Sequence, residues 1–177
     1  NDKNYGFAKA NNQAIKIAKT DYILLLNNDT ITIKKDCFKN MVRFMQENPK
    51  IGLLGCKLLF SDGTLQSVGG KYPSAWEVFK NQILFIKTLK RFRKQKFNLF
   101  EKADCVSGAC LLTRREILNK VGDFKEDYFM YGEDIEFCYR VKKSGWDIGV
   151  MTSESIIHLL GKSTEKKLTE FFYYIRI

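Results

Sequence analysis

The stretch Asp21-Tyr22-Ile23-Leu24-Leu25-Leu26-Asn27-Asn28-Asp29-Thr30 constrains this chain more than any other part of it. Tyr22–Leu26 is an apolar run with the length and composition of a strand buried on both faces. It stops at three side chains that carry oxygen ligands. In open α/β sheets, ligands bind outside the carboxyl ends of such strands. A carboxylate at that place can hold a hard divalent cation, and the cation can hold a diphosphate. The same residues also suit an Asx turn that merely ends the strand.

The flanking periodicities predict the fold class. Phe7, Ala10, Ala14, Ile17 and Ala18 follow helical spacing, so a helix is predicted over 7–19. After the apolar strand, Phe38, Met41, Val42 and Met45 recur at helical spacing, and Asn48-Pro49 closes that helix. Residues 51–60 read as a strand, Ser61-Asp62-Gly63-Thr64 as a turn, and 65–68 as a return strand. Residues 105–113 form an apolar stretch interrupted by Ser107-Gly108-Ala109. Gly132-Glu133-Asp134 opens another helix, which Gly145 ends, and 146–151 reads as a strand. Helix, strand, helix, strand in this order predicts an α/β domain with a mainly parallel sheet flanked by helices. Such a sheet does not begin with a helix, so at least one strand is expected before Asn1. The chain is read as an N-terminally truncated piece of a longer protein.

The 177 residues suffice for one domain with a sizeable core. No apolar run approaches the roughly 20 residues needed to span a bilayer. The five cysteines contain no C-x-x-C, which favours reduced thiols in a cytoplasmic protein over a zinc site. A net charge of +10 implies an acidic partner: nucleic acid, anionic lipid or a phosphorylated substrate. Residues 71–103 stand apart as an insert. Trp76, Phe79, Ile83, Ile86 and Leu89 suggest an amphipathic helix that runs into Lys87, Lys90, Arg91, Arg93, Lys94 and Lys96. A solvated insert fits this pattern, and so does a segment lying on an anionic membrane surface, on the inner face of the membrane. Nucleic acid is disfavoured, because no recognition helix, zinc finger or RNA-binding aromatic signature is present.

A few residues suit chemistry. Glu133 and Asp134 fall in a first helical turn, where carboxylates offset the helix dipole. One of them can equally serve as a general base, and only one can face a given atom, since neighbours on a helix diverge by about 100°. His158 is the only histidine. Imidazole beside one carboxylate suits Mn²⁺ or Mg²⁺ if phosphate oxygens complete the shell. Gly6 opens the first helix, whose free N–H groups can face an anion. Gly108 lets a ligand or another backbone segment approach closely.

Taken together, these segments resemble family 2 glycosyltransferases, in their rhamnosyltransferase-like branch. The resemblance rests on Asn4-Tyr5-Gly6-Phe7-Ala8 with Asn11-Asn12, on Leu24-Leu25-Leu26-Asn27-Asn28-Asp29-Thr30, and on Val106-Ser107-Gly108-Ala109-Cys110-Leu111-Leu112 with Arg114-Arg115. It continues through Phe129-Met130-Tyr131-Gly132-Glu133-Asp134 to Trp146 and His158-x-x-Gly161-x-Ser163. It implies a GT-A fold and inverting transfer of a sugar from a nucleotide-diphosphate donor to a glycan or lipid-linked acceptor. By this resemblance Asp134 is the catalytic base, and Glu133 and Trp146 contact the acceptor. Gly6, Asn12, Asn27, Asn28, Ser107 and Gly108 line the nucleotide sugar, and Asp29 with His158 holds the metal. The usual Asp-x-Asp is Asn27-Asn28-Asp29 here, with one carboxylate. With the opening strand outside the sequence, weak activity is expected of these residues alone. The alternative is a non-catalytic module that binds acceptor or membrane.

Overall fold

The computed structural model describes residues 3–72, 98–128 and 131–159. In chain order these form α1 (Phe7–Ile17), β1 (Tyr22–Leu26), β2 (Thr30–Thr32), α2 (Cys37–Glu47), β3 (Ile51–Leu59) and β4 (Leu65–Ser67). They continue as β5 (Phe100–Lys102), β6 (Cys110–Arg114), α3 (Arg115–Val121), α4 (Glu133–Lys143) and β7 (Asp147–His158).

The seven strands share one sheet in the order β1-β6-β3-β7-β2, with β4 on β3 and β5 on β7. The expected mainly parallel sheet is corrected to a mixed one. Among the described residues only the β3–β7 pairing is parallel, and the other five are antiparallel. The reason is insertion rather than reversal. β1, β3 and β7 still point one way, because β6 runs antiparallel to both β1 and β3 and lies between them. Sequence order could suggest their shared direction but not the strand slipped between them.

Helices cover both faces. Leu53 and Leu54, like Leu111 and Leu112, alternate to opposite sides of the pleat and are fully buried or nearly so. Leu53 and Leu111 join Ala8, Ile15, Ile117, Phe137 and Val141 under α1, α3 and α4. Leu54 and Leu112 join Met41, Met45, Met151 and Ile156 under α2. The described cysteines are all free thiols, with Cys56 and Cys110 packed sulfur to sulfur at 3.5 Å.

β1 was expected to be buried on both faces, but it alternates. Ile23 and Leu25 are buried while Leu26 is exposed. It is an edge strand among the described residues, and a groove of about 260 Å³ runs between it and α1. The tail of the expected insert is corrected too, since 100–102 is strand β5 of the main sheet. The amphipathic and basic stretch at 76–96 lies outside the described residues.

Three arginines fasten helix ends. The last carbonyls of a helix lack intrahelical partners and carry the negative end of its dipole. Arg114 donates to Met45 O and Asn48 O behind α2, to Ile51 O and to the Tyr22 hydroxyl. Arg115 donates to Ile15 O, Ala18 O and Thr20 O behind α1. Arg140 donates to the carbonyls of Val121, Gly122 and Asp123 behind α3. Replacing Arg114 with alanine strands part-buried carbonyls and should cost about 2–3 kcal/mol in urea unfolding. A loss below about 0.5 kcal/mol would show that water satisfies them instead.

Candidate functional site

Asp29 and His158 are 129 positions apart in sequence and adjacent in space because of one short ladder. β1 ends at Leu26, and the Asn27 N–H donates to Ala109 O at the start of β6. Thr30 Oγ1 donates back to Asn27 O at 2.7 Å, closing a tight turn. β2 then runs antiparallel along β7, with Thr30 opposite His158. The Leu159 N–H donates to Asp29 O. The turn therefore sets the Asp29 carboxylate against the imidazole, with Oδ1 3.3 Å from Nε2.

Both side chains are more than nine-tenths buried. Asp29 Oδ1 nevertheless has no hydrogen-bond partner, because its approach to the ring lacks hydrogen-bond geometry. An unpaired buried carboxylate oxygen is costly unless something positive meets it. The pair thus fits a divalent cation by chemistry: one hard oxygen, one imidazole nitrogen, both shielded from water. No cluster of three or more His, Cys, Asp or Glu side chains occurs among the described residues. Asn27 leans toward the same nitrogen, its Nδ2 3.4 Å from Nε2, and Asn28 lies exposed in the turn.

The opposite wall is built by α4. Tyr131 and Gly132 both have positive φ, 70° and 97°, a conformation that L side chains disfavour. They turn the chain sharply into Glu133. Glu133 then points inward and is buried, while Asp134 stays half-exposed. Asp134 Oδ2 accepts the Gly108 N–H at 3.1 Å, and Oδ1 accepts the Ile135 N–H at 2.9 Å. Gly108 must lack a side chain there, since a Cβ would lie 2.7 Å from the Phe7 ring. Gly6, buried at the α1 N-cap, donates its N–H to Asn4 Oδ1 and sets Phe7 in that place. Ser107 Oγ accepts the Ala109 N–H, so its hydroxyl shapes the same turn. Because Ala109 O accepts the Asn27 N–H, the Asp134 wall and the Asp29–His158 wall are joined through Gly108 and Ala109.

Two expected site residues have other work. Trp146 sits at the amino end of β7, at the opposite end of that strand from His158, and packs against the core. A Cβ on Gly52 would touch it at 2.8 Å, so the indole is built into the start of β3. An acceptor role for Trp146 at this site is therefore corrected to packing. Asn12 is buried, and its amide clamps the Phe124 backbone: Nδ2 donates to Phe124 O, and Oδ1 accepts the Phe124 N–H. Nδ2 also donates to Glu126 Oε1. With the amide so engaged, Asn12 supports the loop before α4 rather than facing a ligand.

One residue escaped the sequence reading. Gln66 on β4 lies 2.8 Å from His158 Nδ1 through Oε1 and donates to His158 O at 3.1 Å. Nothing local marks it, because its partner is 92 positions away. Gly161 and Ser163 lie outside the described residues, as do Phe129 and Met130.

Known proteins resemble this chain in sequence and in fold. A family model described as "Glycosyltransferase like family 2" matches residues 1–174. The O-antigen biosynthesis protein RfbC of Myxococcus xanthus is 27% identical over 89% of this chain and 12% of its own. The N-acetylglucosaminyl-diphospho-decaprenol L-rhamnosyltransferase of Mycobacterium tuberculosis is 30% identical over 66% of this chain and 40% of its own. The rhamnosyltransferase WbbL of Escherichia coli is 26% identical over 87% and 61%. The chain thus spans between about one eighth and three fifths of these relatives' lengths. Two solved structures share the fold. GalNAc-T7 with UDP, GalNAc and Mn²⁺ has a TM-score of 0.64 at 15% identity, over 90% of this chain and 31% of that one. The mannosyltransferase PcManGT of Pyrobaculum calidifontis with GDP-Man and Mn²⁺ has a TM-score of 0.58 at 16% identity, over 90% and 38%. The fold is that of the GT-A glycosyltransferases.

Burial gives Glu133 a testable signature. Loss of water raises its pKa above the ordinary 4.5, because desolvation penalises the charged form. Between 4.5 and the raised value, the folded chain holds a proton that the unfolded chain has released. Stability from this group is therefore present below 4.5, falls as pH rises through that window, and stays lower above it. Glu133→Gln should match the parent chain at pH 4 and exceed it at pH 8 in urea unfolding. A difference between the two chains that does not change with pH would contradict this account of Glu133.

Proposed function

The chain belongs to the glycosyltransferase-like family 2, and from that premise we propose that it catalyses inverting sugar transfer in glycan synthesis. The donor is a nucleotide-diphosphate sugar. The acceptor is a hydroxyl of a glycan or of a lipid-linked saccharide on the way to a cell-surface polysaccharide. The observation that carries this reading is the Asp29–His158 pair, with its unpartnered buried oxygen, set across one turn from the Asp134 carboxylate.

In this reading Asp29 and His158 would hold Mn²⁺ or Mg²⁺. Such a cation, when bound, stabilises the negative charge that develops on a departing diphosphate. The remaining steps fall to the chain's own groups. Asn27, Asn28 and the Ser107–Gly108 turn line the donor beside that pair. Asp134 takes the proton of the acceptor hydroxyl as its oxygen bonds to the anomeric carbon and the bond to the diphosphate breaks. The Gly108 and Ile135 N–H groups keep the Asp134 carboxylate aimed. Glu133, buried behind it, steadies the acceptor side of the wall.

Support for the metal and donor class comes from the two structural neighbours, which were solved with Mn²⁺ and with GDP-Man or UDP. Support for the acceptor class comes from the relatives named for O-antigen and decaprenol-linked sugar transfer. No helix among the described residues is long and apolar enough to cross a membrane. Contact with a lipid-linked acceptor at the inner face of the membrane rests, in this reading, on the basic residues of 87–96.

The assay is release of nucleoside diphosphate from a panel of nucleotide sugars, with glycan and lipid-linked acceptors. Asp134→Asn should lower turnover by roughly 10²–10⁴ while donor affinity stays nearly unchanged. Turnover close to that of the parent chain would remove Asp134 from the role of base.

A further inference from the structure

We propose that Gln66 is a positioning residue that fixes the tautomer and the orientation of the His158 ring. The proposal rests on the reading of Asp29 and His158 as cation ligands, and it says how the ring comes to present the right nitrogen.

Hydrogen-bond capacity alone leads to this assignment. The backbone oxygen of His158 can only accept, so the Gln66 NH₂ must face it, at 3.1 Å. That orientation turns Gln66 Oε1 to the ring, 2.8 Å from Nδ1. Oε1 can only accept as well, so Nδ1 carries the proton. In a neutral ring Nε2 is then a bare lone pair. It faces Asp29 Oδ1 at 3.3 Å, and the Asn27 Nδ2 approaches it at 3.4 Å. Two electron-rich atoms, buried and facing each other, need a positive charge between them.

The local backbone is shaped for this contact. Leu58 pairs with Ser67 and Leu59 with Leu65, so Gln66 is the extra residue of a β-bulge. Bulges re-aim a side chain out of the regular alternation. The turn that returns β4 is itself secured: Asp62 Oδ1 accepts the Thr64 N–H at 2.8 Å and the Thr64 hydroxyl at 2.6 Å. The amide thus reaches His158 from a fixed base. It is a two-point clamp on one residue, ring and carbonyl together, and not a stray surface contact.

The chain's single histidine makes the test unambiguous. With ¹⁵N-histidine labelling and no metal, long-range ¹H–¹⁵N correlation spectra are recorded near pH 8.5, where an ordinary imidazole is neutral. The parent chain should show a protonated Nδ1 and a bare Nε2. Gln66→Leu should lose that preference and weaken Mn²⁺ binding by about 10–100-fold, as loss of a ligand's outer partner does. Gln66→Glu still offers an acceptor to Nδ1 and should restore the tautomer, which keeps the test valid if the leucine variant folds poorly. Asp29→Asn should abolish Mn²⁺ binding and leave the tautomer as it was. A parent ring protonated at Nε2, or an unchanged tautomer in Gln66→Leu, overturns the proposal. The expected tautomers without Mn²⁺ binding in the parent chain would uphold the role of Gln66 on the ring and overturn the metal reading instead.

Discussion

Strand β7 is held on both sides: by β3 along its length, and by β5 and then β2 on its other edge. Its register fixes the rest. Between Met151 and Ser155 it accommodates Thr152, Ser153 and Glu154 against a single step on β3, from Cys56 to Lys57. Thr152 bonds to the chain entering β5, and Glu154 Oε1 accepts from Asn40 on α2. That irregularity separates two halves of one strand. The first half packs into the sheet beside β5. The second pairs Ile156, Ile157 and His158 with β2, and so draws the end of β1 onto the histidine.

The distribution of charge follows the same logic. The arginines Arg114, Arg115 and Arg140 are committed to carbonyls at helix ends, where several acceptors match a planar fork of donors. The buried carboxylate Asp29 receives no such partner. Glu133 Oε2, Glu154 Oε2 and the Tyr72 hydroxyl are buried without a hydrogen-bond partner as well, but of these oxygens it is Asp29 Oδ1 that lies against the imidazole. Unsatisfied buried groups in native folds concentrate at sites of function, where a ligand supplies what the protein withholds. Glu133 and Asp134 show the same division on one helix turn, one buried and one held outward by backbone N–H groups.

Much of this was legible in the sequence, and the limits have physical causes. Tyr22–Leu26, the two early helices and β3 were read within a few residues, because long periodic segments state their own partners' chemistry. β2 and β5 are three residues each, and α3 is seven, too short to show a period. The intervening β6 could not be placed, since register between distant strands leaves no local trace. Asp29 and His158 were paired correctly in space because a strand-end carboxylate and a lone imidazole are each conspicuous. Trp146 was misplaced because order along the chain does not say which end of a strand a residue occupies. Asn12 was assigned to the donor by resemblance alone, and a partner 112 positions away, the Phe124 backbone, fills its amide. Gln66 was invisible for the converse reason, as an ordinary residue given meaning only by a bulge and a distant ring.

In the proposed function, Asp29 Oδ1 and His158 Nε2 face each other in order to share a cation. Anomalous diffraction at the manganese edge, from crystals of this chain grown with Mn²⁺ and a nucleoside diphosphate, addresses it directly. One peak is expected about 2.0–2.3 Å from both atoms, with diphosphate oxygens completing the shell. A bound nucleotide with manganese elsewhere, or with Asp29 and His158 joined only to each other, would contradict it.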